Sequence, residues 1–359
     1  MSYIAGVAGA LGPHRYAQSE ITEAFGRLVL GEPAGSTSSQ LAMLERVHAA
    51  TGVETRHLAI PLPAYEGLES FQQANDIFLD VGVDMAGRAI DAALNQAGIS
   101  ASAVDLIVSA TVTGVAAPSL DARLVSRLEL RDDVKRVPIF GLGCVAGAAG
   151  ISRLFDYLVG HPDDIAVLVC VELCSLTVQR DDSSMANVVG SGLFGDGAGA
   201  VVMVGERRAE SMELVGPRVV ATRSVFYPDT ERVMGWDIGG SGFRIVLAPT
   251  VADIVEANLG DDVKRFLASR GIDRSEIDLF IAHPGGPKVL IAMGQALDVP
   301  QSKLQLTWDS LRDVGNLSSA SVLHVLRDTI AAHPPKGTEK AVALAMGPGF
   351  CAELVLLEW

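Results

Sequence analysis

Short apolar runs at residues 105–111, 136–140, 165–171 and 198–204 alternate along the chain with stretches of helical spacing. Runs this short, rich in Val, Ile and Leu, predict buried strands, and their alternation with helices predicts α/β layering. No low-complexity linker divides them.

The pattern is written twice. GISASAVDLIVSA from Gly98 aligns without gaps on GIDRSEIDLFIAH from Gly271, pairing Gly, Ile, Asp and Leu identically, and each follows a helical pattern, at 85–97 and 251–270. Near the end, KAVALAMGPGFCAELVLLEW reads strand, glycine turn, strand, as residues 165–170 and FGDGAGAVVMVG do earlier. Two matched segments in the same order predict a duplicated fold, one half over residues 1–205 and the other over 206–359, packed about a pseudo-twofold axis. The strand end at Ala110 then corresponds to His283, so one half alone carries this histidine, and a site at the junction of the halves follows.

With 359 residues, about half of them apolar, the chain can bury a sizeable core. A formal charge of −15 without a continuous basic patch excludes nucleic acid as the expected partner. The N-terminal MSYIAGVAGALGPHRY has no basic residue before its apolar run and is broken by Gly and Pro, unlike an export signal. No apolar stretch is long enough to span a membrane, so the cytoplasm is the expected location. Cys144, Cys170, Cys174 and Cys351 are spaced for neither a disulfide framework nor a zinc pair and read as reduced thiols.

Of these, Cys144 stands apart. RVPIFGLGCVAGAAGISRLF passes from a short strand through a glycine pair into a helix, with Cys144 at the turn. The first helical turn presents unpaired N–H groups and partial positive charge, which favour a thiolate, and Gly143, Ala146 and Gly147 leave room for an acyl group. The plain alternative is a small buried residue, the reading given to Cys170, Cys174 and Cys351. His283 ends the apolar strand of IDLFIAHPGG, where α/β proteins place chemistry; it either pairs with a thiolate and a substrate carbonyl or bonds a nearby backbone carbonyl. Asn316, in DVGNLSSASVLHVL, either caps the following helix or directs its amide at a developing oxyanion.

Taken together these residues resemble the type III polyketide synthases, chalcone synthase relatives in the thiolase superfamily. GLGCVAGAAG resembles the family's nucleophile turn, LFGDGAGA its gatekeeper segment, AHPGGPKVL its histidine loop, GNLSSASVL its asparagine loop and AMGPGF its C-terminal glycine loop. The resemblance implies a thiolase-like duplicated αβαβα five-layer fold and a homodimer. It implies Cys144, His283 and Asn316 as the catalytic triad and Phe194 as an aromatic gate, for which the alternative is a core aromatic. Thr113, Ala117, Cys174, Thr177, Phe243, Ile245, Ser318, Gly347, Pro348 and Gly349 are implied to shape the substrate pockets. Ala117 stands near where plant relatives carry a methionine that crosses the dimer. Arg46 matches the family's basic cluster for CoA phosphates, while Met43 and Ala50 depart from it; Arg56 is either a second phosphate contact or a structural ion-pair partner.

The implied substrates are acyl-CoA and malonyl-CoA, with no metal and no cofactor. Small residues at Ala117, Ala146 and Cys174 look more like bacterial acyl-pyrone and alkylresorcinol makers than plant enzymes, so a medium or long aliphatic starter and an alkyl-α-pyrone or alkylresorcinol product are expected. The competing expectations are a carrier-protein-dependent ketoacyl synthase, a hydroxymethylglutaryl-CoA synthase and a cysteine acyl-CoA hydrolase.

Overall fold

In a computed structural model, which describes residues 1–31 and 37–359, the chain opens with β1 (Ser2–Leu11), β2 (His14–Ala17), α1 (Gln18–Leu30), α2 (Ser39–Ala49), β3 (Thr55–Leu58) and α3 (Phe71–Ala97). It continues through β4 (Leu106–Thr111), α4 (Leu120–Arg127), β5 (Lys135–Phe140), α5 (Ala146–Gly160), β6 (Ile165–Leu173), α6 (Met185–Leu193) and β7 (Asp196–Gly205). Then come α7 (Glu206–Ser211), β8 (Arg218–Phe226), β9 (Met234–Gly239), β10 (Gly242–Leu247), α8 (Val251–Ala268) and β11 (Leu279–Ala282). The last elements are α9 (Pro287–Leu297), α10 (Gln305–Val314), α11 (Ser321–Ala332), β12 (Lys340–Gly347) and β13 (Cys351–Glu358).

The four strands read from the apolar runs are β4, β5, β6 and β7. The apolar N-terminus, which carried no structural expectation, is β1, a central strand paired with β7 along most of its length. The main sheet has the order β11-β12-β13-β8-β1-β7-β6-β4-β5. Outward from β1, the neighbours β7 and β6 are antiparallel and β4 is parallel to β6; outward from β8, β13 and β12 are antiparallel and β11 is parallel to β12. The two series meet where Ser2 and Tyr3 pair with Val219 and Arg218. The matched sequence segments fall on equivalent elements: short 3₁₀ turns at Ala101–Ala103 and Arg274–Glu276, then β4 and β11.

Strand alternation sorts the side chains into layers. Val167, Val169 and Val171 of β6 pack outward with Met85, Ala89 and Ile90 of α3, while Ala166, Leu168 and Cys170 pack inward with Ile151 and Leu154 of α5. In the other series, Val342 and Leu344 of β12 pack outward with Val255 and Leu259 of α8 and Leu290 of α9. Ala341 and Ala343 pack inward with Val322 and Val325 of α11. The result is five layers, αβαβα, in the thiolase-like fold, with α5 and α11 clasped between the two sheet faces. Cys170 is a packing residue of that middle layer. Each fully buried Val or Leu contributes roughly 1.5–3 kcal/mol relative to an exposed one, so the middle layer fixes the start of α5 and of α11 firmly.

Candidate active site

Each functional side chain sits where an element ends. After β5 the chain turns through Gly143, at φ 54, into a 3₁₀ turn, Gly143–Val145, that runs directly into α5 and holds Cys144. A Cβ on Gly143 would lie 2.7 Å from Cδ of Pro348, so the glycine lets the loop after β12 close on the nucleophile turn. His283 follows β11 immediately, its backbone N–H donating to the Leu344 carbonyl at 3.0 Å. Asn316 follows α10 and precedes the turn Ser318–Ala320 that opens α11.

Cys144, His283 and Asn316 are all buried and line one small cavity with Phe194, Met346 and Phe350. The Cys144 thiol donates to Ser318 Oγ at 3.6 Å. Among the described residues, neither ring nitrogen of His283 has a hydrogen-bond partner, which a buried imidazole rarely tolerates without a functional reason. Asn316 does not cap α11, whose N-cap position is Ala320 with no side-chain cap: its Oδ1 accepts from the Ser318 N–H at 2.8 Å, two residues on, while Nδ2 donates to the Gly285 carbonyl at 3.5 Å and has a second N–H to offer.

Burial pushes the Cys144 thiol up to about 12, against the lowering effect of Ser318, and pushes the His283 imidazolium down to about 3. The helix start by itself therefore does not hold a thiolate in the resting protein. Exclusion of water also strengthens the attraction between a thiolate and an imidazolium when both are charged.

Behind the sulfur lies Glu172, buried on β6 and absent from the sequence expectations. It accepts from Thr113 Oγ1 at 2.8 Å, the Val112 N–H at 3.1 Å, Thr111 Oγ1 at 3.3 Å, Ser318 Oγ at 3.5 Å and the hydroxyl of Ser319. Burial raises its carboxyl to about 7. A lone acid inside the apolar run IAVLVCVEL was the available signal.

Three cavities meet at Phe194. One holds His283 and Asn316, a second lies over Cys144 with Cys174, Ile245, Ser318 and Pro348, and a third extends from Cys174, Thr177 and Ile245 toward α1. Phe194, half-buried, lines all three. The first two have about 30 Å³ of free space each and the third about 80 Å³. Space of 30 Å³ suits about one or two waters, so an acyl group is admitted only as side chains move aside.

Several implied pocket residues stand elsewhere. Thr113 turns away from the cavity to Glu172, and its neighbour Val112 lines the cavity over Cys144. Ala117 is exposed in the loop after β4 and lines none of the three cavities. Phe243 is buried behind the wall, edge-on to Phe71 and tilted against Trp236. Gly347 backs the nucleophile turn, where a Cβ would lie 2.6 Å from the Val145 nitrogen, and Gly349, at φ 119, shapes the loop. Arg46 is exposed on α2. Arg56 is not available to a phosphate: it is 2% exposed, with one Nη donating to the Phe194 carbonyl at 2.8 Å and the Asp196 carboxylate favouring its charge. Met234 and Trp236 of β9 and Phe350 are wall residues absent from the expectations.

Residues 6–207 match the N-terminal domain of chalcone and stilbene synthases, and residues 218–358 match their C-terminal domain. The chain belongs to this family. It is thus a type III polyketide synthase, an acyltransferase-type condensing enzyme that works on CoA substrates. The match selects this reading over the carrier-dependent synthase and the hydrolase. The synthase is similar to a 1,3,6,8-tetrahydroxynaphthalene synthase of Streptomyces peucetius subsp. caesius, 54% identical over 359 residues, 99% of this chain and 93% of the relative. A phloroglucinol synthase of Pseudomonas fluorescens is 28% identical over 96% of both chains. Among solved structures, the 1,3,6,8-tetrahydroxynaphthalene synthase of Streptomyces coelicolor superposes with a TM-score of 0.90 at 29% identity, covering 99% of each chain. Among the described residues, no cluster suited to a metal ion is found and no helix is long and apolar enough to cross a membrane.

Proposed function

We propose that this synthase condenses malonyl-CoA units on Cys144 into a ten-carbon chain that closes to a 1,3,6,8-tetrahydroxynaphthalene-type product. The observation that carries the catalytic assignment is the buried, unpartnered imidazole of His283 sharing a cavity with Cys144 and Asn316. Cys144 passes its proton to His283, attacks the thioester and becomes acylated, and the proton leaves with the CoA thiol. An incoming malonyl-CoA then loses carbon dioxide; its electron pair becomes an enolate whose oxygen takes hydrogen bonds from His283 and Asn316. The enolate carbon attacks the acyl carbonyl and Cys144 departs as thiolate, leaving the chain two carbons longer on CoA; the thiolate then attacks that thioester, CoA leaves, and the chain is back on Cys144 for the next cycle. Removing one such donor costs roughly 2.7–4 kcal/mol, about 10²–10³ in rate.

The product assignment rests on the relative that shares 54% of its residues with this chain. A naphthalene oxygenated at alternate carbons is what five two-carbon units give when joined head to tail. The cavity walled by Ile21, Phe25, Leu28, Leu58 and Leu62 favours a second reading, in which a medium or long aliphatic acyl-CoA primes the chain and an alkyl-α-pyrone or alkylresorcinol is released. Mass spectrometry of products decides between them. The first reading expects a tetrahydroxynaphthalene or its oxidised quinone from malonyl-CoA alone, unchanged by fatty acyl-CoA and absent with Cys144→Ala; alkyl-bearing products formed only with the primer establish the second.

We place the enzyme in the cytoplasm as a homodimer. The support is β5, an edge strand of the main sheet whose Val137 and Phe140 are 44% and 49% exposed. Such an edge is a template for pairing with a second copy.

A further inference from the structure

The partition that Phe194 makes between the three cavities is set from outside the site. Phe194 directly follows α6, and the last carbonyls of a helix have no partner within it. Here they are claimed by other elements: the Leu193 carbonyl accepts from the Asn316 N–H at 2.9 Å, the Gly192 carbonyl from Gln18 Nε2 at 2.7 Å and the Phe194 carbonyl from Arg56 at 2.8 Å. The deepest tie is His48, buried on α2. Its Nε2 lies 3.1 Å from Ser191 Oγ and 3.2 Å from the Val188 carbonyl, and its Nδ1 lies 2.8 Å from Thr22 Oγ1 on α1. A Cβ at Gly192 would come within 2.5 Å of the His48 ring, so glycine at this position is what admits the imidazole.

We infer that His48 is a positioning residue for Phe194: it ties α1 and α2 to the final turn of α6 and thereby sets how far the aromatic ring closes the space over Cys144. The inference rests on the site described under the proposed function but not on the identity of the product. With about 30 Å³ free at the sulfur, acyl loading requires Phe194 to shift, and a clamp on its backbone confines that shift to the side chain. Loosening the clamp lets the whole segment move, which widens access to Cys144 and blurs the point at which chain growth stops.

A double-mutant cycle tests this. The primary readout needs no turnover: the rate at which a bulky maleimide labels Cys144, located by peptide mapping. His48→Leu is expected to raise that rate about tenfold, His48→Gln by less, and Gln18→Ala in the same direction. In a Phe194→Leu background, where the partition is already gone, the same substitutions are expected to add nothing. With malonyl-CoA, the spread of extension numbers should broaden in the single variants and be no broader in the doubles than in Phe194→Leu alone. Equal effects in both backgrounds would mean that His48 only stabilises the fold, and the inference would fail. If His48→Leu does not fold, Gln18→Ala decides by the same comparison. A change of product identity alone bears on the proposed function and leaves this inference standing.

Discussion

Cys144 and His283 are each held uncharged by burial, and the proposed mechanism makes the ion pair between them the reactive form. Alkylation of Cys144 by iodoacetamide should therefore vary little between about pH 6 and 9 in the intact protein. With His283→Gln the thiol can only lose its proton to solvent, against a value pushed up to about 12, so the rate should be lower at pH 7 and rise about tenfold per pH unit up to pH 10. Identical profiles would show that the histidine does not take the proton. At this scale Cys144, His283 and Asn316 were conspicuous in the sequence because each stands beside glycines that force a turn, and the structure brings the three to one cavity. In the loop that follows β4, Val112 lines the cavity while its neighbour Thr113 turns to Glu172, and the sequence does not distinguish the two. Arg56 was undecided because a buried and a phosphate-binding arginine read the same in sequence.

Among the elements, β5 carries the sharpest expectation. The proposed homodimer predicts that the parent protein sediments as a dimer and that Val137→Glu with Phe140→Glu sediments as a folded monomer with unchanged helical circular dichroism; a monomeric parent, or a dimer that persists in the variant, would contradict pairing through β5. The strands β4, β6 and β7 were legible because apolar runs with both faces covered are continuous in sequence, and β5, exposed at the sheet edge, was legible from its short apolar stretch before the glycine turn. β1 was not, because its alternating glycines and alanines carry little strand propensity and owe their place to close packing: a Cβ at Gly6 would lie 2.2 Å from the Ala93 carbonyl of α3. The β9–β10 hairpin, which supplies Met234 and Trp236 to the wall, was hidden in a segment mixed in charge and glycine.

For the whole molecule, the repeat conveyed the duplication, while the five layers were legible through the family resemblance; two copies of one pattern do need a shared middle layer to cover their inner faces. What the repeat could not convey was the acid buried behind that layer's active end. Glu172 holds its proton up to about 7 when folded and 4.5 when unfolded, so its contribution to stability is complete below 4.5 and is lost as pH rises through 7. At 1.36 kcal/mol per unit this is about 3 kcal/mol. Urea unfolding should show Glu172→Gln gaining about that much on the parent protein between pH 4.5 and 8; a constant difference would mean that the carboxyl stays ionised. The central claim, that Cys144 carries the growing chain, is tested most directly by mixing the protein with malonyl-CoA, quenching in acid within milliseconds and mapping the acyl adduct by peptide mass. The account predicts acyl groups on the Cys144 peptide and none on Cys170, Cys174 or Cys351, and an adduct on any other residue, or product formed with no adduct at all, would contradict it.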